Sequence, residues 1–272
     1  MGKNRDEITG FVTPYWTHLS DIENGDYDNV FSFTTPISSD LNNDLGELKA
    51  LILARGDRKA TYKDIVGLTS DEYNRSTADS IATGMSVMLQ AQAQLDQLVH
   101  GMITAINDTL CPNTTLGELT GNTASLTGTD ENGNTVTITS GMKVLDTKNC
   151  STGSDKQIPP QELFTRLGTE RYTKVSVQET DANGNTVTND YYVYNEESET
   201  DTSKQYTLAS VSVNDKLVEQ ESLLPHLSQN GKVNYDLAQK VAALWNGEYL
   251  TLDPDDTNKV TFIDYYLSLI HI

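Results

Sequence analysis

The stretch "STADSIATGMSVMLQAQAQLDQLVHGMITAINDTL", residues 76–110, limits the possible folds more than any other part of the chain. Ile81, Met85, Met88, Gln92, Leu95, Val99, Met102 and Ile106 follow alternating spacings of four and three, and only Gln92 interrupts the apolar set. That spacing puts the apolar side chains on one seam of an α-helix, and such a seam is stable only when buried against another surface. It predicts a long helix packed on other helices, with Ile81, Met85, Met88, Leu95, Val99, Met102 and Ile106 as the packing residues. No second heptad run of equal length occurs in the 272 residues, so the chain lacks the mate that a helical rod requires.

A shorter helix is expected upstream. Asn43-Asp44 offers an N-cap, Glu47 suits the first turn, and Leu45, Leu48, Leu51 and Ile52 follow at helical spacing. Arg55 and Gly56 then form a helix stop: a cation in the last turn, and a glycine free to adopt the left-handed conformation. Arg55-Gly56-Asp57 is also the tripeptide that some adhesion receptors grip, so the same residues carry an adhesin alternative. Residues 1–42 alternate aromatic and polar residues between turn signals, with Val30, Phe31 and Phe33 as a short strand.

From Pro112 to about Leu224 the texture changes to Thr, Val, Asn, Gly and Tyr. The nonapeptides "TDENGNTVT" (129–137) and "TDANGNTVT" (180–188) repeat, each placing Asn-Gly between β-prone runs. Asn-Gly is the strongest short hairpin signal, because both residues tolerate positive φ. Two hairpins follow, with strands at 135–139, 173–178, 186–194 and 206–213. A helical texture returns in "NYDLAQKVAALWN", with Leu237, Val241, Leu244 and Trp245 on one face behind a cap at Asn234. The expected fold is α+β, elongated and multidomain. Residues 1–110 (an irregular, partly β N-terminal segment and helices) join 225–266 in a long-helix bundle domain, and 111–224 form an inserted β-rich domain.

Charge narrows the partners. There are 39 acidic and 19 basic residues, a net charge of −20, and no basic stripe with interleaved aromatics. Nucleic acid is therefore not an expected partner, and nor is a membrane, since no run approaches about 20 apolar residues. "MGKNRDEITGF" has no apolar core of a cleaved signal. Cys111 and Cys150 bracket about 40 residues. They read as two free thiols or as one bridge, which in the chain-entropy account stabilises by about 3–4 kcal/mol.

Catalytic and metal-binding patterns are not found. His18, His100, His226 and His271 are scattered, and none has an acidic residue at ligand spacing. "DENGN" (130–134) and "DPDDTN" (253–258) fail the positional requirements of a calcium loop. There is no phosphate loop, nucleophile elbow or zinc-protease helix motif. Tyr191-Tyr192-Val193-Tyr194 could present rings to a sugar, although strand alternation sends part of the run inward. No enzyme activity, cofactor or metal is expected.

The order of blocks resembles a known family. "GELKALILARGDRKATYKDI" (46–65), the helix ending in "ITAINDTL", "ASVSVNDKLVEQESLLP", "YDLAQKVAALWN" and "TFIDYY" resemble, in that order, segments of the flagellar hook-associated protein 1 (FlgK) family. The resemblance covers most of 8–110 and 206–266, with the β-rich insertion as a variable outer domain. It implies a structural subunit at the hook–filament junction of the bacterial flagellum. Such a subunit is exported by the type III route to the extracellular flagellum without a cleaved signal peptide. Its partners would be further copies of itself, the hook protein and the second junction protein. Nothing here resembles the family's two terminal regions, so the chain reads as an internal fragment. Its last six residues, "LSLIHI" (267–272), are what the transposase adapter CTG TCT CTT ATA CAC ATC translates to, and they are expected to be a sequencing artefact. The alternative is a surface adhesin or carbohydrate-binding module carried by the β-rich insertion, with Arg55–Asp57 or Tyr191–Tyr194 as contacts.

Overall fold

The structure, a computed structural model, describes residues 15–21, 23–24, 59–69, 87–180, 183–252 and 257–270. The chain divides into two compact units, Met1–Leu98 with Glu248–Ile272, and Val99–Gly247. The sequence-derived boundaries at 110/111 and 224/225 both lie inside the second unit. Helix α1 (Val87–Leu110) carries the chain from the first unit into the second.

The second unit is built on one sheet. Its strands are β1 (Asn113–Thr115), β2 (Leu126–Asp130), β3 (Thr135–Ile138), β4 (Lys143–Leu145), β6 (Tyr172–Thr180) and β7 (Thr186–Tyr194), in the order β1-β4-β7-β6-β2-β3. Every pairing is antiparallel, and the sheet curls into a half-barrel. β5 (Phe164–Thr165) and β8 (Ser212–Val213) form a separate two-stranded pair.

Strand alternation builds two cores on the two faces of this sheet. Ile138, Val144, Val175, Val177, Tyr191 and Val193 point to one face, where α2 (Leu116–Thr120) closes over them with Leu116 and Leu119. The capping box of α2, Thr115 with Glu118, fixes its entry. Leu145 and Tyr172, with the partly buried Tyr192 and Tyr194, point to the other face. There they meet Leu110, Cys111, Cys150 and Leu237. Leu237 comes from α4 (Tyr235–Ala243), whose N-cap Asn234 accepts from Leu237 N at 3.1 Å. The remaining helix of this unit, α3 (Asp215–Glu219), is one turn long.

Both Asn-Gly repeats lie in hairpins, β2–β3 and β6–β7. Gly133 and Gly184 take φ of +84° and +85°, values that L side chains adopt only under strain. Residues 206–213 form a strand only at Ser212–Val213. The rest is a turn in which Ser210 Oγ donates to Gln205 O at 2.6 Å and Val211 N to Thr207 O at 3.0 Å.

In the first unit, Ala60 and Ile65 pack on Leu89 and Ala93 of α1. Strands β9 (Glu248–Thr251) and β10 (Lys259–Thr261) pair antiparallel. They lead into α5 (Phe262–Ile270), where Phe262 stacks on Tyr249 at 5.2 Å. Tyr265 of α5 donates its hydroxyl to Gln97 Oε1 at 2.7 Å.

This architecture overturns the expected long-helix bundle with an inserted domain. Among the described residues the fold is a small mixed one centred on the six-stranded half-barrel, and every α-helix except α1 has five to nine residues. The physical reason lies in the helix that suggested the bundle. Its buried face includes Leu89, Ala93, Asp96, Ile103 and Asn107, each one residue C-terminal to a seam position, together with Gln90, Gln94, Leu98 and Leu110. A step of one residue turns the stripe by about 100°. Asp96 accepts from the backbone N–H of Tyr62 at 2.9 Å. Asn107 Oδ1 accepts from the N–H groups of Leu163 and Phe164, both at 3.1 Å. Beside its apolar contacts, the helix thus holds backbone N–H groups of distant segments through polar side chains on its buried face.

Candidate functional site

The strongest concentration of chemistry lies in the second unit, where the end of α1, the 157–171 segment that contains β5 and the start of β6 meet. Asn107 is fully buried and serves four groups. Besides the two N–H groups it accepts from, it donates Nδ2 to Phe164 O at 2.8 Å and to Glu162 Oε2 at 3.1 Å. Glu162 also accepts from Tyr206 Oη at 2.5 Å, and Arg171 Nη1 lies 3.6 Å from it. Arg171 is paired with Asp108 as well, through Nη2. Arg171 and Glu162 are 4% and 6% exposed, whereas Asp108 is 57% exposed. A buried guanidinium therefore has one buried and one solvated carboxylate. Breaking the buried pair would strand a charge, which typically costs about 3–5 kcal/mol.

The protonation states follow from this packing. Burial raises the Glu162 pKa, opposed by the Tyr206 hydrogen bond and by Arg171 and Arg166. Burial works against the Arg171 charge, but the surrounding Tyr172, Tyr206, Cys111 and Asp108 outweigh it and hold its pKa well above the ordinary value. Burial also pushes the Cys111 thiol up to about 12, against the pull of Arg171. A thiol held in that form is a poor nucleophile at neutral pH. A second arginine extends the network: Arg166 lies 4.8 Å over the Tyr206 ring and 5.8 Å over Tyr194, while Arg171 lies 5.0 Å over Tyr194.

A cleft of about 570 Å³ opens beside this network. Glu162, Arg171, Tyr172, Tyr192, Lys174 and Glu170 are among the residues that line it. Gln157–Gln161, with a cis Ile158–Pro159 bond, line it as well. Lys174 is bonded to Asp190 at 2.8 Å, which raises the lysine pKa and lowers that of the aspartate. The chemistry available is electrostatic anchoring: the carboxylate, guanidinium and phenol are engaged with one another, and Cys111 is kept protonated. Among the described residues no three His, Cys, Asp or Glu side chains are placed to hold a metal ion.

The residues singled out in the sequence fall elsewhere. Ile81 and Met85 of the seam, the helix stop Arg55 and Gly56, and Asp57 lie outside the described residues. So does the strand expected at Val30–Phe33. Met88 and Leu95 are exposed, at 49% and 37%, while Val99, Met102 and Ile106 are half-buried. Ile106 packs on the Leu110–Cys111 core. The tyrosine run is split by its strand: Tyr191 enters one core, and Tyr192 and Tyr194 border the other. Asp130 of "DENGN" accepts from Asn132 N, Asn134 N and Asn134 Nδ2 at 2.8–3.0 Å, so the turn's own amides occupy its carboxylate. Cys111 and Cys150 are free, buried thiols in one core.

The Glu162–Arg171–Tyr206 network was not found from the sequence. Glu162 and Arg171 are nine residues apart, but Tyr206 comes from 35 and 44 residues away and Asp108 from 63, with no shared spacing. The only signal was a charged residue directly before a β-prone run, "RYTKVSV". No protein-family model, no curated protein and no solved structure matches the chain.

Proposed function

We propose that the chain is a structural subunit of the bacterial flagellum at the hook–filament junction, working by self-assembly through helical faces. The observation that carries this reading is the order of blocks: "GELKALILARGDRKATYKDI", the helix into "ITAINDTL", "ASVSVNDKLVEQESLLP", "YDLAQKVAALWN" and "TFIDYY". Two features of the first unit support it. Ile263 and Tyr266 stand on one side of α5, three residues apart, and are 56% and 49% exposed. Met88 and Leu95, one heptad apart on α1, are exposed as well. Apolar side chains at helical spacing in solvent are what an assembling subunit presents to its neighbours. On this reading the partners are further copies, the hook protein and the second junction protein, reached by type III export.

The test is genetic. Cells lacking the complete gene are expected to build hooks, shed filament subunits and lose motility. A full-length gene carrying Ile263→Asp with Tyr266→Asp is expected to restore export of the subunit but not filament attachment. Normal filaments on cells without the gene would overturn the reading.

A further inference from the structure

The second hairpin leaves part of its outer strand without a neighbour. β7 pairs with β6 along all nine residues, but on its other side it meets β4 only at Val144↔Val193. Thr186, Val187, Thr188, Asn189 and Asp190 are all exposed, and no described strand lies along them on that side. An open strand edge is a template for another strand, which natural proteins usually blunt with lysine, proline or a bulge. None of these devices is present: the five residues contain neither Lys nor Pro, and the β6–β7 register runs without a shift. Their single charge, Asp190, is held by Lys174 at 2.8 Å and by Ser176 Oγ at 2.6 Å.

We propose that this edge pairs with the same edge of a second copy of the chain, antiparallel about a two-fold axis at Thr188. The sequence is complementary to itself in that register. Thr188 faces the partner's Thr188, Val187 faces the partner's Asn189, and Thr186 faces the partner's Asp190, whose carboxylate can accept from the threonine hydroxyl. No like charges are opposed, whereas a parallel in-register pairing would set Asp190 against the partner's Asp190. Contacts that reciprocate about a two-fold axis close into a dimer and stop there. Each copy carries a net charge of −20. Long-range repulsion therefore opposes the encounter and salt screens it, so the dimer tightens as ionic strength rises. The proposal does not rest on the flagellar reading, and its contact is a strand edge rather than a helical face.

The test uses the full chain. Sedimentation velocity is expected to show a concentration-dependent dimer that strengthens between about 0.05 and 0.5 M NaCl. Thr188→Cys is expected to cross-link to itself under mild oxidation, because directly opposed residues have Cα atoms about 4.5–5.5 Å apart, within disulfide reach. Thr186→Cys faces position 190 across the axis, so alone it links roughly ten-fold more slowly than Thr188→Cys, but it links readily when mixed with Asp190→Cys. The native thiols are buried and add no background. Thr188→Lys, which sets two ammonium groups at the axis, is expected to abolish the dimer while the circular dichroism spectrum stays unchanged. A monomer at every concentration and salt overturns the proposal. So does a Thr188→Cys variant that links no faster than Thr186→Cys, or than a cysteine at the exposed Thr123.

Discussion

Two hairpins in this molecule grow from nearly the same nine letters and end differently. In "TDENGNTVT" and "TDANGNTVT" the glycines take nearly the same positive φ, so the conformation at the glycine is shared. The strands that leave the turns are not equivalent. Val136 packs partly buried against the first core, while its counterpart Val187 is exposed. Ile138 is fully buried, while Asn189, at the corresponding place, is exposed. On the incoming side Gly128 lets β2 lie close to β6, where the second copy has Glu179. A turn motif thus specifies where the chain reverses, and the residues just beyond it decide whether the hairpin is built into a core or projects from it.

The largest expected effect probes that divergence directly. Ile138→Ala removes a fully buried side chain and should destabilise by about 2–5 kcal/mol, whereas Asn189→Ala on the exposed strand should stay within about 0.5 kcal/mol. Chemical denaturation followed by circular dichroism measures both, and equal losses would erase the distinction between the hairpins.

Next in size is Gly128→Ala. The new Cβ would lie 2.5 Å from Ser176 O and 2.8 Å from Val177 Cγ2, so β2 and β6 must part, at a cost of about 1–3 kcal/mol. The same denaturation curves report it, and a neutral result would mean that the two strands are not so closely set.

Smaller still, and equal in the two hairpins, should be Gly133→Ala and Gly184→Ala. At each the added side chain meets open space but an unfavourable φ, which costs about 1 kcal/mol. Unequal losses would show that the turns differ after all.

The smallest effect is a titration. Hydrogen bonds from Asn134 hold the Asp130 carboxyl below its ordinary pKa, and the bond from Lys174 does the same for Asp190. A carboxylate with a depressed folded pKa lends stability above its unfolded pKa and loses it as the pH falls through the folded value. Glu162 has the opposite sign: burial raises its pKa, so its contribution is complete in acid and declines as the pH rises through the folded value. Carbon-detected NMR titration should show Asp130 and Asp190 both changing late on acidification. Asn134→Ala should return only Asp130 toward the ordinary range, and a simultaneous return of Asp190 would contradict the assignment.

The elements that could be read in advance were those whose signal is local. Asn132-Gly133 and Asn183-Gly184 announced the reversals, Asn234 announced the start of a helix, and the residues of α1 announced a helix. Its packing could not be read the same way. Periodicity ranks residues by apolarity, and Asp96 and Asn107 look like solvent-facing positions until the loops that they bind are known. Arg171, Glu162 and Tyr206 were illegible for the same reason. Each is an ordinary polar residue in its own neighbourhood, and the network closes only when Asn107, Asp108 and Tyr206, dozens of positions away, fold against Glu162 and Arg171. The region 206–213 misled in the other direction, since its β-prone residues are used in a turn that Ser210 stabilises.

The two buried thiols have a practical consequence for following the molecule in time. Burial pushes Cys111 up to about 12 and raises Cys150 as well, and both sit in the core shared by Leu110, Leu145, Tyr172 and Leu237. A thiol reagent can reach them only when that core opens. The rate at which they become labelled is therefore a clock on the opening of this one cluster, distinct from the melting of the whole chain. A cysteine placed on the projecting hairpin would react at once and serve as its zero of time.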